Sequence, residues 1–294
     1  MGKKRDEIQR IIRDTKSLPT LPGLISRLGS LTENNKVSAL EIGRVVSMDQ
    51  VLSAKVLRLV NSAFYGFSRR VSTVSNAIIL LGVNVVKSLA ISSSIFEIME
   101  KNVVGLWEHS MGAAVAANII SRELKLPEPE ETSTAALLHD IGKVIIKIRL
   151  QDDYDQLSAL IKEKGLRLIE AERSLLETDH AEIGEWVAQT WLLPEKLIEP
   201  IACHHNVEKS AVQRGKTAVV HVADVLVKAS AFGFSGDDLV PQIQPVAWNK
   251  LGLTEESLEQ IILKFEDKLV EVKQFSLEIQ SGDESKAPNF SSLS

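Results

Sequence analysis

The chain has 294 residues, of which 44% are hydrophobic and 25% are charged, so it can form one large globular domain or two smaller ones. Its net charge of −5 and its pI of about 5.8 exclude the basic surface that nucleic-acid binding requires. The single cysteine, Cys203, excludes an internal disulfide and fits a reducing compartment. Without an apolar run typical of a signal peptide or a membrane span, the chain is predicted to be soluble and cytoplasmic.

Helical periodicity runs through almost the whole chain, and strand-like alternation is missing, which predicts an all-α fold. Basic residues over 1–17 alternate with acidic ones and indicate the solvated face of an N-terminal helix. Capping-box spacings at 38–41 and 47–50 predict two helix starts. The second of these helices should end near Gly66 and carry an apolar face of Leu52, Val56, Leu59 and Val60. Shorter helices are predicted at 73–81 and 84–99.

Longer helices are predicted in the second half of the chain, at 107–125, 133–148, 153–164, 167–177, 180–191, 194–203 and 216–231. A looser stretch rich in glycine and proline follows. The last helix should begin at Thr254 and carry one apolar face of Leu258, Ile261, Ile262, Phe265, Leu269 and Val272. The tail from Ser281 has few bulky residues and is predicted to be disordered.

All six histidines of the chain fall between positions 109 and 221. Within this window, the adjacent pair His139 and Asp140 is the strongest indication of a metal site. Adjacent helical side chains project about 100° apart, so the imidazole and the carboxylate can hold one cation or bridge two. This donor pair suits Zn, Fe, Mn or Ni better than Ca or Mg. Gly142 allows a second backbone or a ligand to come close, and Lys143 lies on roughly the same helix face as Asp140.

Each of the other histidines has a simpler interpretation when it is considered alone. His180 could simply begin a helix, and His204 and His205 could be a surface pair near a helix end. His221 lies on an apolar helix and is interpreted as a structural, hydrogen-bonded histidine. Asp224 lies in the same apolar segment, where a buried carboxylate needs a cation or hydrogen bonds. The prediction of a metal site therefore depends on the whole set.

The order of these residues resembles that of the HD superfamily of metal-dependent phosphohydrolases in its two-metal form. The segments 18–22, 51–66 and 74–82 are similar to stretches of the HDOD (HD-related output) domain of bacterial signalling proteins. The resemblance covers about residues 18–230. It implies an HD-type multi-helix bundle preceded by an N-terminal helical HDOD subdomain. The implied units are an N-terminal helix at 1–17, the HDOD subdomain at 18–104, an HD-like metal-binding subdomain at 105–232, a helical extension at 233–280 and a disordered tail at 281–294.

The resemblance also implies two divalent transition-metal ions, which would be Fe, Mn, Zn or Ni. One metal would be held by His109, His139, Asp140 and Asp224, and the second by His180, His204 and His205. Asp140 matches the carboxylate that bridges the two ions, and Lys143 matches a lysine that relatives place near the substrate phosphate. These two residues are the catalytic candidates. Many HDOD proteins lack several of these residues, whereas this chain keeps the full set.

The chain departs from two catalytic branches of the superfamily. The HD-GYP branch, which hydrolyses cyclic di-GMP, carries a Gly-Tyr-Pro signature after its paired histidines, whereas His205 is followed by Asn-Val-Glu-Lys. Relatives with a third metal carry a glutamate one turn before the first histidine, where this chain has Gly105. The sequence therefore predicts neither cyclic di-GMP as the substrate nor a trinuclear centre.

Three hypotheses of function stay open on the sequence alone. The first is a hydrolase that acts on a phosphorylated small molecule, such as a phosphoester or a nucleotide. The second is a regulatory module that binds a signalling protein and whose metals are structural. The third is a diiron centre for redox chemistry or oxygen sensing. None of them requires a membrane or a nucleic acid, and the sequence predicts no oligomeric state.

Overall fold

A computed structural model describes residues 2–14, 43, 46–47, 50–61, 65, 67, 70–83, 85–86, 88–90 and 103–280. Over these ranges the secondary structure is helical without any strand, which confirms the predicted all-α fold. The helices are α1 (Lys3–Asp14), α2 (Gln50–Val60), α3 (Val74–Leu81), α4 (Leu106–Glu123), α5 (Pro129–Leu138), α6 (Ile141–Arg149), α7 (Gln151–Lys164), α8 (Leu168–Leu176), α9 (His180–Thr190), α10 (Glu195–Cys203), α11 (Arg214–Ala229), α12 (Pro245–Leu251) and α13 (Glu255–Gln280). None of the described helices is both long and apolar enough to cross a bilayer.

Helix α4 lies at the centre of the bundle and packs against α5, α11 and α13. Its middle turns consist of small, fully buried residues, namely Ala113, Ala114, Ala116 and Ala117. Side chains of this size let three neighbouring helices approach the α4 backbone closely. His109, in the first turns of α4, is therefore held inside the bundle and not at its surface.

The start of α6 is pressed against the start of α9. A Cβ atom on Gly142 would lie 1.9 Å from the carbonyl oxygen of His180, a distance that no side chain can tolerate. Gly184, one turn further along α9, continues the contact, since a Cβ there would lie 2.9 Å from Ile201 of α10. The two glycines therefore let α6, α9 and α10 meet with almost no space between their backbones.

The predicted helix over 133–148 is wrong, because the chain breaks at His139 and Asp140 into α5 and α6. Asp140 has φ −98° and ψ 12°, outside the helical range, and its side chain does not cap α6. Neighbouring side chains on a continuous helix do not face each other. The break removes that restriction, so that His139 and Asp140 can converge on one point.

The C-terminal region contains a helix that periodicity does not predict. Helix α12 is only seven residues long, begins at Pro245 in the position where proline is tolerated, and ends at Gly252 with φ +61°. The predicted apolar face of the last helix is confirmed for Ile261, Phe265 and Val272, which are buried.

Several predictions fall outside the described residues. These are the segment 18–22, the capping box at 38–41, the helix end at Gly66, most of the helix at 84–99 and the tail from Ser281. The predicted domain boundaries stay predictions.

Candidate metal centre

The structure brings all seven predicted ligands together in two adjacent groups, whose ligand atoms lie within 4.8 Å of one another in each group. The first group contains His109, His139 and Asp224, and the second contains Asp140, His180, His204 and His205. The residues come from α4, α9, α11, the break between α5 and α6, and the end of α10. All of them are buried except His205, which is partly exposed.

In the first group, two imidazoles and one carboxylate point at the same small volume. The Nε2 atoms of His109 and His139 are 3.4 Å apart, and Asp224 Oδ1 lies 3.1 Å from His109 Nε2 and 3.7 Å from His139 Nε2. Ligands placed about 2.0–2.1 Å from a tetrahedral metal are separated by about 3.3 Å. The spacing in this group therefore fits one cation.

In the second group, two imidazole nitrogens face each other beside a carboxylate. His180 Nε2 is 2.8 Å from His205 Nε2 and 3.4 Å from Asp140 Oδ1. His204 Nε2 lies 3.9 Å from the same Asp140 oxygen. Three nitrogens and one oxygen are thus directed at a second position.

Asp140 lies between the two groups. Its Oδ1 atom faces the second group, while Oδ2 lies 3.3 Å from His139 Nε2 and 3.5 Å from His109 Nε2. The ammonium of Lys143 donates a hydrogen bond of 2.6 Å to the same Oδ2, which agrees with the expectation that Lys143 lies on roughly the same face as Asp140. A single carboxylate with one oxygen on each side is the arrangement that a bridging ligand requires.

The histidines are oriented by hydrogen bonds on the ring nitrogen that faces away from the site. Nδ1 of His139 donates to the carbonyl oxygen of Ala136 at 2.6 Å, and Nδ1 of His204 donates to that of Ile201 at 2.8 Å. A proton held on Nδ1 leaves the lone pair on Nε2, which is the form that binds metals. In this neutral tautomer, both rings direct the Nε2 lone pair at the site.

His221, by contrast, uses both ring nitrogens in structural hydrogen bonds. Nδ1 donates to the carbonyl oxygen of His204 at 2.9 Å, and Nε2 accepts from the backbone N–H of Gln244 at 3.0 Å. No lone pair is left for a metal. The hydrogen bonds agree with the interpretation of His221 as structural.

In the part of the chain that the structure describes, four buried polar atoms of this region have no hydrogen-bond partner, namely Asp140 Oδ1, His204 Nε2, Asp224 Oδ2 and Glu172 Oε1. Buried polar atoms in folded proteins nearly always have a partner, because leaving one without a partner costs about 1–3 kcal/mol. Three of the four belong to the predicted ligands, and their donor types suit a transition metal. The residues present therefore fit two divalent ions.

Burial and mutual repulsion keep most of these imidazoles neutral. Burial lowers the pKa of His180 and His205 well below its usual value, and it lowers that of His204 to about 4. Burial also acts to lower the pKa of His139, but the carboxylates of Asp140 and Asp224 outweigh it and raise the pKa to about 10. The two carboxylates thus require a positive charge between them, which a proton or a metal ion can supply.

Glu172 is a functional candidate that sequence reasoning missed. It is fully buried, and its Oε2 atom accepts hydrogen bonds from His180 Nδ1 at 2.6 Å and from the His180 backbone N–H at 3.0 Å. Burial raises the pKa of this carboxyl to about 8. The available signal was its place on the apolar face of α8, in register with Leu168 and Leu176. Carboxylates in this position orient metal-binding histidines and increase their basicity.

We expect Glu172→Gln to weaken metal binding by about 10- to 100-fold, because the amide is a poorer acceptor for the His180 ring. Glu170→Gln is the matched control, since Glu170 is a partly exposed glutamate of the same helix and glutamine also serves at its capping position. Metal affinity is measured by competition with a chelator of known affinity. Equal affinities for the two variants would contradict the orienting role.

Two openings reach the centre, and they differ in charge. A cavity of about 30 Å³ is lined by Lys143, His180 and His205 on the inner side and by Arg167, Lys228 and Asp237 on the outer side. A groove of about 460 Å³ reaches His205 from another direction, and it is lined by the acidic residues Glu177, Asp179, Glu182, Glu185, Glu195 and Glu199, with Arg173 and Lys209 as the cations. The small cavity favours an anion, whereas the large groove repels one.

The HDOD domain family matches residues 18–207, which is more than half of the chain. Asp224 and everything C-terminal to it lie beyond the matched residues. Among solved structures, an HDOD domain protein of unknown function from Geobacter sulfurreducens is 27% identical with a TM-score of 0.69, and the match covers 92% of this chain and 97% of that one.

A second solved structure, from Shewanella amazonensis SB2B, is described as a candidate phosphohydrolase; it is 23% identical with a TM-score of 0.66, over 91% of this chain and 97% of that one. Among curated proteins, an uncharacterised protein of Treponema pallidum is 25% identical over 193 residues, or 64% of this chain. Ribonuclease Y of Mycoplasmoides gallisepticum is 27% identical over 172 residues, or 58% of this chain. The match spans only 38% and 25% of the lengths of these two curated relatives.

Proposed function

Because the chain belongs to the HDOD domain family, we propose that it is a metal-dependent phosphohydrolase that acts in bacterial signal transduction. The observation that carries the proposal is Asp140, a buried carboxylate with one oxygen directed at each of two groups of histidines. Two neighbouring divalent ions are typical of phosphoester hydrolysis. The metal ligands are His109, His139, Asp140, His180, His204, His205 and Asp224.

The names of two relatives support the reaction class. The Shewanella amazonensis protein is described as a candidate phosphohydrolase, and the Mycoplasmoides gallisepticum protein is a ribonuclease, whose substrate is a phosphodiester.

The bound ions would neutralise phosphate charge and lower the pKa of a water molecule so that it can attack phosphorus. Asp140 holds the spacing between the two groups of ligands. The Lys143 ammonium is buried, and although burial lowers its pKa, the carboxylate of Asp140 outweighs that effect and raises it. Lys143 therefore keeps its positive charge and can stabilise the negative charge that develops on phosphate oxygens.

A phosphate-bearing substrate would enter from the cavity that Arg167 and Lys228 line, and not from the acidic groove. These two cations, with Lys143 behind them, attract an anion and orient it toward the metals. Among the described residues that line the cavity there is no Phe, Tyr or Trp, so no stacking of a nucleobase on such a ring is expected there.

The test combines metal analysis with an assay of hydrolysis. The purified protein is expected to hold about two metals per chain and to hydrolyse at least one member of a panel of aryl phosphates, cyclic nucleotides and dinucleotides. His204→Gln should lose the second metal and all turnover, because its Nε2 atom points into the second group of ligands. His221→Gln is the matched control for metal content: it removes a buried histidine of the same region whose nitrogens do not face the metals, and it should keep both of them.

Less than one metal per chain in the carefully purified protein would overturn the metal centre. Equal background hydrolysis by wild type and His204→Gln would overturn the enzymatic role on the substrates assayed. Metal binding without turnover would instead favour the regulatory module, in which the same residues hold structural ions.

A further inference from the structure

The segment between α11 and α12, residues 230–244, crosses the outer side of the metal centre and is called the strap here. At its start it lies directly on α4, where the backbone N–H of Phe234 donates to the carbonyl oxygen of Gly105 at 2.9 Å. Gly233 has φ +71°, and a Cβ there would lie 2.3 Å from the backbone nitrogen of His109. The strap therefore touches the backbone of a predicted metal ligand, and only glycine fits at the point of contact.

The end of the strap is fastened to the second group of ligands through Gln244. Its side-chain amide donates to the carbonyl oxygen of His205 at 2.9 Å, and its Oε1 atom accepts from the backbone N–H of Val207 at 3.1 Å. The backbone N–H of Gln244 also donates to His221 Nε2. The two ends of the strap are thus tied to opposite sides of the centre.

The middle of the strap places a carboxylate over the cavity. Asp237 Oδ2 accepts from the backbone N–H of Leu168 at 2.9 Å, and Oδ1 accepts from the Lys228 ammonium at 3.1 Å and from the Leu239 N–H at 2.9 Å. The Asp237 side chain is only 4% exposed and the Lys228 side chain 11% exposed. Gly236, with φ +113°, allows this approach, since a Cβ there would lie 2.5 Å from the Leu168 side chain.

The groups that hold Asp237 are those that bind phosphate in proteins. The Leu168 N–H belongs to the first turn of α8, where the helix dipole favours an anion, and Lys228 adds an ammonium. Arg167 and Lys143 also line the cavity, and Asp237 is the only carboxylate among the described residues that line it. Lys143 is also paired with Asp140, and Arg167 with Glu170. The Leu168 N–H and the Lys228 ammonium are therefore the anion-binding donors of the cavity that Asp237 itself occupies.

The cavity is too small for a substrate while the strap is in place. Its volume of about 30 Å³ is enough for one or two water molecules. A phosphoester must therefore displace the strap before it can reach Lys143, His180 and His205. Asp237 is the group it would compete with, because both need the same donors.

We propose that Asp237 occupies the anion-binding site to which a phosphate group of the substrate binds. The strap thereby keeps the metal centre closed until an anion displaces Asp237. The identification of the anion as a phosphate rests on the proposed function. The site itself rests on the cavity, the helix start and the buried Lys228–Asp237 pair. Binding of phosphate and opening of the strap are then one event.

The test is titration of inorganic phosphate into the full-length protein, by calorimetry, in metal-loaded and metal-free form. Asp237→Asn should bind phosphate at least about tenfold more tightly than wild type, because the internal competitor has lost its charge. The added change Lys228→Gln should abolish the gain. Asp238→Asn is the matched control, since it makes the same change of charge at an exposed neighbouring residue and should bind like wild type.

A second measurement uses the wild-type protein and so does not depend on the folding of any variant. Saturating phosphate should accelerate amide hydrogen exchange in the strap, above all at Leu239, whose N–H is bonded to Asp237. Unchanged phosphate affinity in Asp237→Asn, or unchanged exchange in the strap of phosphate-saturated wild type, would overturn the proposal. A gain in affinity in the metal-free protein would support it even if the proposed hydrolase activity failed.

Discussion

Gly142→Ala is expected to destabilise the protein by about 3 kcal/mol or more, at the upper end of what overpacking costs. The added Cβ would lie 1.9 Å from the carbonyl oxygen of His180 and 2.8 Å from its carbon. These are backbone atoms and cannot rotate away as the end of a flexible side chain can. Helices α6 and α9 would have to separate, and that movement would also pull Asp140 from the second group of ligands.

Gly215→Ala is the matched control for this variant. Gly215 is also in the first turn of a helix, and a Cβ there meets no atom within 4 Å. Its stability should stay the same or rise by less than about 1 kcal/mol, since alanine is the better helix former. The free energy of unfolding is measured by urea denaturation of the metal-free proteins. A Gly142→Ala protein within about 1 kcal/mol of wild type would refute the backbone contact between α6 and α9.

Asp140→Ala is expected to remove both metals and to destabilise the metal-free protein. Each oxygen of Asp140 faces a different group of ligands, so the loss of one side chain affects both. Burial acts to raise the pKa of this carboxyl, but His139 and Lys143 outweigh it and hold the pKa well below its usual value. Its loss leaves the buried Lys143 ammonium without a counter-charge, which typically costs about 3–5 kcal/mol.

A double variant separates the two effects of Asp140→Ala. Adding Lys143→Met removes the uncompensated charge and should restore much of the stability, because apolar groups of similar size often replace a buried ion pair without loss. It should not restore the metals, which need the carboxylate. Metal content is measured on each protein, together with urea denaturation. Two metals per chain in Asp140→Ala would show that the carboxylate does not bridge the two groups.

Helical periodicity and residue spacing along the chain were sufficient to predict the all-α fold and most helices of the second half. The three-residue spacing placed Lys143 on roughly the same face as Asp140, and in the structure the two side chains are hydrogen-bonded at 2.6 Å. The predicted helix over 133–148 was wrong, because apolar periodicity continues through His139 and Asp140 although the backbone does not. Apolar periodicity depends only on the local sequence. It therefore does not reveal the break in the backbone that directs the side chains of His139 and Asp140 to one point.

Glu172 and Asp237 show a second limit of sequence reasoning. Both are acidic residues in segments that also contain exposed acidic residues, so composition does not distinguish them. Glu172 is set apart by its hydrogen bond to His180, and Asp237 by its contacts with Leu168 and Lys228, eight or more positions away along the chain. These partners are defined only when the helices pack.

The sequence by itself determined the donor types of the candidate centre, because imidazoles and carboxylates at these positions can be read from it directly. It also predicted most of the helices around them, but not the break that carries His139 and Asp140. Only the tertiary structure decided which oxygen of Asp140 faces which histidines, and that His221 has no free nitrogen. It also placed the Asp237 carboxylate of the strap on the Leu168 N–H and the Lys228 ammonium. The physical reason is that donor chemistry belongs to single residues, whereas distance, burial and access arise from the packing of segments far apart in the chain.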